Sequence, residues 1–230
     1  MYKLFRDMVL ALDHLHHKLG TRYVHNDFKP HNVLVIRVPD YDKLSIPEEP
    51  TFKLADFARL APWPTPRGEQ PESFNGTPEY APPEQEQKAP VQPSADIYGL
   101  GATLQYMALG EHPIQSQESF VRHRRAQGKT YPELMNKKLW PPPRWRKHVP
   151  TVFRPIDVSS KSLRDDYDFP GSLESYQPYG ERLGYWYAQL WAPVQYRPKA
   201  STLVDIFIPE MDKKVERLKL QRLKELSQDE

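Results

Sequence analysis

The chain has 230 residues, of which 38% are hydrophobic and 27% charged, with a formal net charge of +2 and no cysteine. This composition suits one globular domain or a large lobe of a bigger fold. It excludes disulfides, thiolate zinc sites and cysteine nucleophiles, and it argues against nucleic acid or anionic lipid as a partner. The start, Met1-Tyr2-Lys3-Leu4-Phe5-Arg6-Asp7, carries charges where a signal peptide needs its apolar core. No apolar run approaches the ~20 residues of a membrane span. An intracellular, soluble protein of cytoplasm or nucleus, with no membrane association, is therefore expected.

Residues 3–19 read as an amphipathic helix, because Leu4, Met8, Leu12, Leu15 and Leu19 recur at three- and four-residue spacing. Gly20 stands where a helix C-terminal glycine is expected. His14, His16 and His17 lie near that end, where exposed or dipole-favoured positions are expected rather than a metal site. Short strands are predicted at 23–24, 33–36 and 52–55, with a turn-rich excursion at 39–50. Residues 58–93 read as a long proline-rich loop. Ser94 is the expected cap of a deeply buried helix, Ala95 to Leu109, which Gly110 ends. A short basic helix is expected at 117–127, and residues 128–178 show no periodicity. Helical patterns return at 181–192 and 199–208, and a charged helical tail occupies 209–230, too sparse in apolar residues for a long coiled coil. Proline, with 25 residues, has roughly twice its usual share and clusters in 62–93 and 132–155.

The chemistry concentrates in His25-Asn26-Asp27-Phe28-Lys29-Pro30-His31-Asn32, followed further along by Asp56-Phe57-Ala58. A carboxylate, a lysine, an amide and a second carboxylate form the set that phosphoryl transfer needs: a proton acceptor, a cation and oxygen ligands for Mg²⁺. Taken singly, Asp27 and Asn32 also suit turn or cap positions. The pattern resembles the catalytic loop H-R-D-x-K-x-x-N and the D-F-G motif of eukaryotic protein kinases. Three further stretches resemble the same family in the same order. Gly76-Thr77-Pro78-Glu79-Tyr80-Ala81-Pro82-Pro83-Glu84 is similar to the G-T-x-x-Y-x-A-P-E end of the activation segment. Asp96-Ile97-Tyr98-Gly99-Leu100-Gly101 is similar to D-x-W-S-x-G, and Arg197-Pro198-Lys199-Ala200 to R-P-T-A.

The resemblance implies a mainly α fold with a few short β-strands, the carboxy-terminal lobe of a protein kinase, over residues 1–208. Within it, about 111–178 would be an irregular basic and aromatic insert. The implied activity is transfer of phosphate from ATP to serine or threonine hydroxyls of a protein substrate. Asp27 would be the catalytic base and Lys29 would neutralise charge on the γ-phosphoryl. Asn32 and Asp56 would hold Mg²⁺, and Thr77 would shape the substrate groove. Glu84 and Arg197 would form a buried ion pair, and Asp96 would anchor the catalytic loop from below.

Two departures stand out. Asn26 replaces an arginine that receives an activation-segment phosphate in many kinases, which argues against control by phosphorylation at Thr65 or Ser73. Ala58 replaces a glycine and is expected to restrict φ beside Asp56. The glycine-rich phosphate loop, the V-A-I-K lysine and its glutamate partner are absent before His25. The chain alone is therefore expected to be weak or inactive, its exposed cleft floor lacking a roof over ATP. The alternative is a non-catalytic kinase-like binding module. Residues 111–160, with ten Lys/Arg against four Asp/Glu, are its candidate protein-partner surface. A small-molecule phosphotransferase is a third reading, disfavoured by Lys29 and by Ala81-Pro82-Pro83-Glu84.

Overall fold

Helix α1, Tyr2–Asp13, turns Leu4, Phe5, Met8, Val9 and Leu12 inward, as the apolar spacing predicts. In this computed structural model, which describes residues 1–37, 50–69, 74–85, 90–129, 140–156 and 181–227, that stripe forms one wall of the main core. The helix continues as a π turn, His14–Lys18, in which the adjacent Leu15 and His16 are both buried. Leu19 is already extended at φ −76° and ψ 149°, and Gly20 is not among the left-handed glycines, so it does not cap the helix. The π turn supplies its own stop, closing a bond from Leu19 N–H to the His14 carbonyl at 3.3 Å.

Four short strands make two antiparallel pairs. Strand β1, Tyr23–Val24, pairs with β4, Ala61–Pro62. Strand β2, Val33–Arg37, pairs with β3, Thr51–Leu54, in the register Val33 to Leu54 and Val35 to Phe52. Strand β4 lies inside the stretch expected to be loop, because two residues give no periodicity to read. Most of the expected excursion at 39–50 lies outside the described residues, as does Ser73.

Helix α2, Pro93–Leu109, is buried at every position from Ala95 to Gln105. A helix apolar on all sides occupies the centre of a fold. Its N-cap is Gln92, with Pro93 in the first turn. Proline's fixed φ starts the helix earlier than Ser94, so the serine is not the cap. Gly110 ends it at φ 70°, as expected. Gln105, buried in this helix, is bonded through both amide atoms: one N–H donates to the Val152 carbonyl at 3.0 Å. Its oxygen accepts from Arg154 N–H and the Tyr187 hydroxyl, both at 2.8 Å. Burial pushes the Tyr187 phenol far above its ordinary pKa, so it stays a donor.

Helix α3, Gln117–Ala126, is capped by Ser116 and covers a satellite cluster of Ile114, Phe120, Trp145 and Val149. Helix α4, Glu181–Leu190, adds Leu183, Trp186, Tyr187 and Leu190 to the main core. Each such fully buried side chain contributes roughly 1.5–3 kcal/mol. The short α5, Ala200–Thr202, runs through a π turn, Leu203–Phe207, into α6, Ile208–Leu226, without a break. Met211 lies in the core, and Asp212 accepts bonds from the Tyr2 hydroxyl and Arg6 Nε, so the first turn of α6 is fastened to α1. Among the described residues, no helix is long and apolar enough to cross a membrane.

Candidate active site

The loop after β1 is held from beneath by one carboxylate. Asp96, on α2 and 1% exposed, accepts the backbone N–H of His25 at 2.7 Å and of Asn26 at 2.9 Å. His16 Nε2 lies 2.8 Å from the same carboxylate. The expected exposure of the three histidines is thus corrected for His16, which is 1% exposed, because a buried carboxylate needs partners on every lone pair. Asn26 adopts φ 64°, a left-handed conformation that asparagine tolerates better than most residues. This turn presents Asp27.

Both Asp27 oxygens are engaged. Oδ1 accepts the Thr77 backbone N–H and the Thr77 hydroxyl, each at 2.8 Å. Oδ2 accepts Lys29 Nζ at 2.8 Å, and Lys29 also donates to Thr77 Oγ1 at 2.9 Å. The three side chains close a circuit between the 25–32 loop and the segment from residue 74 to 85. Gly76 permits it: a Cβ there would sit 2.5 Å from the Asn26 carbonyl oxygen. Arg59 Nε stands 3.7 Å from Asp27 Oδ2, a neighbour with no signal in the sequence.

Asn32 and Asp56 come together through the β2–β3 hairpin. Val33 pairs with Leu54, and Ala55 N–H donates to the Asn32 carbonyl at 2.9 Å, so both polar residues stand at the same end of the hairpin. Asn32 is 4% exposed, and its amide nitrogen donates to the Asp27 carbonyl at 2.9 Å, leaving the amide oxygen uncommitted among the described residues. Asp56 is exposed at φ 60°, its carboxylate accepting a single long bond, 3.5 Å, from Ala58 N–H. The left-handed residue of this motif is therefore Asp56, and Ala58 takes no positive φ, so alanine there carries no conformational cost. One amide oxygen and one carboxylate are hard donors that suit Mg²⁺, which commonly takes one or two protein ligands plus substrate phosphates. Among the described residues, no cluster of three His, Cys, Asp or Glu forms a separate metal site.

Glu84 and Arg197 meet in a two-pronged ion pair at 2.7 and 3.3 Å. Arg197 also donates to the carbonyls of Ser94 at 2.7 Å and Ala192 at 3.2 Å, and lies over the Tyr98 ring. Gly99 is a further packing point that the motif alone did not explain: a Cβ would meet the Phe28 carbonyl oxygen at 2.9 Å. Along β2 and just past Asp56, Leu34, Val35, Ile36 and Phe57 are each about half exposed.

The profile of the family described as the protein kinase domain matches residues 1–165. The chain belongs to the protein kinase family. Its helix-rich fold with few short strands is that of a kinase-like domain. It is 36% identical over 104 residues to the mitosis inhibitor protein kinase wee1 of Schizosaccharomyces pombe, covering 45% of this chain and 10% of that protein. It is 32% identical over 112 residues to ribosomal protein S6 kinase alpha-2 of Mus musculus, covering 49% and 13%. It is 34% identical over 137 residues to the serine/threonine-protein kinase PKZ1 of Phytophthora infestans, covering 52% and 31%. The chain thus spans a third or less of the length of these curated relatives.

Proposed function

We propose that the chain carries the base, the phosphate-binding lysine and the magnesium ligands of an ATP-dependent serine/threonine protein kinase. The observation that supports this most directly is the closed circuit Asp27–Lys29–Thr77, with Oδ1, Nζ and Oγ1 all within 2.9 Å of a partner. Asp27 receives the proton of the substrate hydroxyl as its oxygen bonds to phosphorus, and Thr77 fixes the rotamer of that carboxylate. Lys29, with one N–H beyond those given to Asp27 and Thr77, faces the charge on the transferring group. When bound, ATP–Mg²⁺ would supply the phosphoryl group, ADP leaving with the bridging oxygen, and the Asn32 amide oxygen and the Asp56 carboxylate would hold the cation. The lysine two residues after Asp27, and relatives named as serine/threonine-protein kinases, favour hydroxyls of serine and threonine.

Assayed alone, this chain transfers phosphate weakly. The half-exposed Leu34, Val35, Ile36 and Phe57 beside the nucleotide ligands favour that view, since water is poorly excluded there. The same exposed apolar residues favour the second reading, a non-catalytic kinase-like binding module that buries some of them against a partner. Radiolabelled ATP and purified 1–230 decide between them. Weak transfer that Asp27→Asn lowers by about 10²–10⁴ supports the first reading. Robust transfer would refute the weakness, transfer insensitive to Asp27→Asn would refute the base, and Mg²⁺-dependent nucleotide binding unchanged by Asp56→Asn would refute the metal assignment.

A further inference from the structure

A groove of about 250 Å³ lies between residues 74–85 and the basic stretch that includes Arg146 and Lys147. Gly76 and Pro78 line it, so it flanks Thr77, whose hydroxyl donates to Asp27 at 2.8 Å. A polypeptide whose hydroxyl reaches Asp27 runs directly past this groove.

Its walls are uneven in chemistry. Phe74, Pro78 and Pro82 give it apolar sides, and Gln85 contributes an amide whose buried nitrogen and oxygen both lack a hydrogen-bond partner among the described residues. The charged residues of its lining are Arg146 and Lys147, both exposed. Arg146 is steered by Nε, 3.3 Å from Glu79 Oε1, which leaves its terminal nitrogens for another acceptor. Glu79 is 5% exposed and sits beneath the guanidinium rather than on the wall. Lys147 has no ion-pair partner among the described residues. Both cations of the lining come from the segment 111–160, whose sequence has ten Lys/Arg against four Asp/Glu. A cationic wall at the edge of an apolar cleft recognises carboxylates by charge complementarity and rejects basic side chains.

We infer that Arg146 and Lys147 are specificity-determining residues that select protein substrates carrying aspartate or glutamate within a few residues of the acceptor hydroxyl. The inference rests on the phosphotransfer reading for what the groove is used for, and its test does not. Short fluorescent peptides with one serine flanked by aspartates, by alanines or by lysines are titrated against the full chain, without ATP, and followed by anisotropy. The aspartate peptide binds about fivefold tighter than the alanine one, as two partly exposed charge contacts allow. Raising salt to about 0.5 M removes most of that preference.

Because Arg146→Ala would strip a partner from buried Glu79, the deciding variant is Lys147→Glu, at an exposed position, with circular dichroism as the check on folding. It inverts or abolishes the preference. Equal binding of the three peptides, or an unchanged preference in Lys147→Glu, overturns the proposal. So does displacement by a single-stranded oligonucleotide at a concentration matched to the acidic peptide, which would mark a general polyanion surface. A preference without phosphotransfer refutes the catalytic reading alone, and phosphotransfer without a preference refutes this inference alone.

Discussion

His16 and Asp96 meet across 80 residues of chain, Nε2 to Oδ2 at 2.8 Å, both inside the fold. The same carboxylate carries the backbone of His25 and Asn26, so the entry helix and central helix jointly set the height of Asp27. Replacing Asp96 by Ala leaves two buried N–H groups and a buried imidazole unsatisfied. The expected cost is about 3–5 kcal/mol, read as a lower urea midpoint. His16→Ala, which removes one partner of three, costs about 1–2 kcal/mol. Equal effects of the two substitutions would show that the backbone bonds to Asp96 contribute little.

Arg197 is the hub of a second buried junction, tied to Glu84, Ser94, Ala192 and the Tyr98 ring. Arg197→Ala is expected to lose about 3–5 kcal/mol in thermal or chemical unfolding. Arg197→Lys recovers little of it, because an ammonium cannot reproduce the two-pronged geometry. Full rescue by lysine would mean that charge, not the guanidinium fork, holds the junction.

Gly76→Ala tests the approach of the 25–32 loop and the 74–85 segment. Its Cβ would press within 2.5 Å of the Asn26 carbonyl oxygen and within 2.6 Å of the Phe74 ring. Relief requires the 74–85 segment to move away from Asp27, at a cost of about 1–3 kcal/mol. The expected signature is a modest fall in urea midpoint together with loss of the Asp27–Thr77 hydrogen bonds, seen as faster amide exchange at Thr77. Undisturbed exchange at Thr77 would contradict the contact.

Acid should loosen the α4–α6 contact. The hydrogen bond from Arg182 holds the Glu210 carboxyl below its ordinary pKa of 4.5, and Trp186 adds a further bond at 3.3 Å. A depressed carboxylate stabilises the fold above its unfolded pKa and loses that contribution as pH falls through the folded value. The stability difference between the wild-type chain and Glu210→Gln should therefore be present at neutral pH and vanish below the carboxylate range. The pair is exposed and salt-screened, so the difference is small. Its persistence in strong acid would assign the effect to packing of Trp186 instead.

The ordered motifs, from His25–Asn32 to Arg197–Ala200, were legible in the sequence because they are local strings whose spacing is set by chemistry. The helices at 2–13, 93–109 and 117–126 were legible too, since burial of one face, or of all faces, writes a period or a continuous apolar run. Helix ends were read less well: Pro93 preempted Ser94, and a π turn made Gly20 irrelevant as a cap. Those outcomes depend on backbone bonds that compete over a single residue, and composition does not rank them.

What only the tertiary structure decided is which distant groups share one point in space. His16 reads as one of three surface histidines until Asp96 requires a buried partner. Asn32 and Asp56 become neighbours through the strand register that sets Val33 beside Leu54. Arg146 reaches Glu79, and Arg59 approaches Asp27, through folding that leaves no periodic trace. Sequence by itself determined the family and the chemical inventory, because those reside in residue types at short spacing. Distances, burial and the sharing of one carboxylate by three partners are properties of packing, and packing is settled by contacts between segments far apart in the chain.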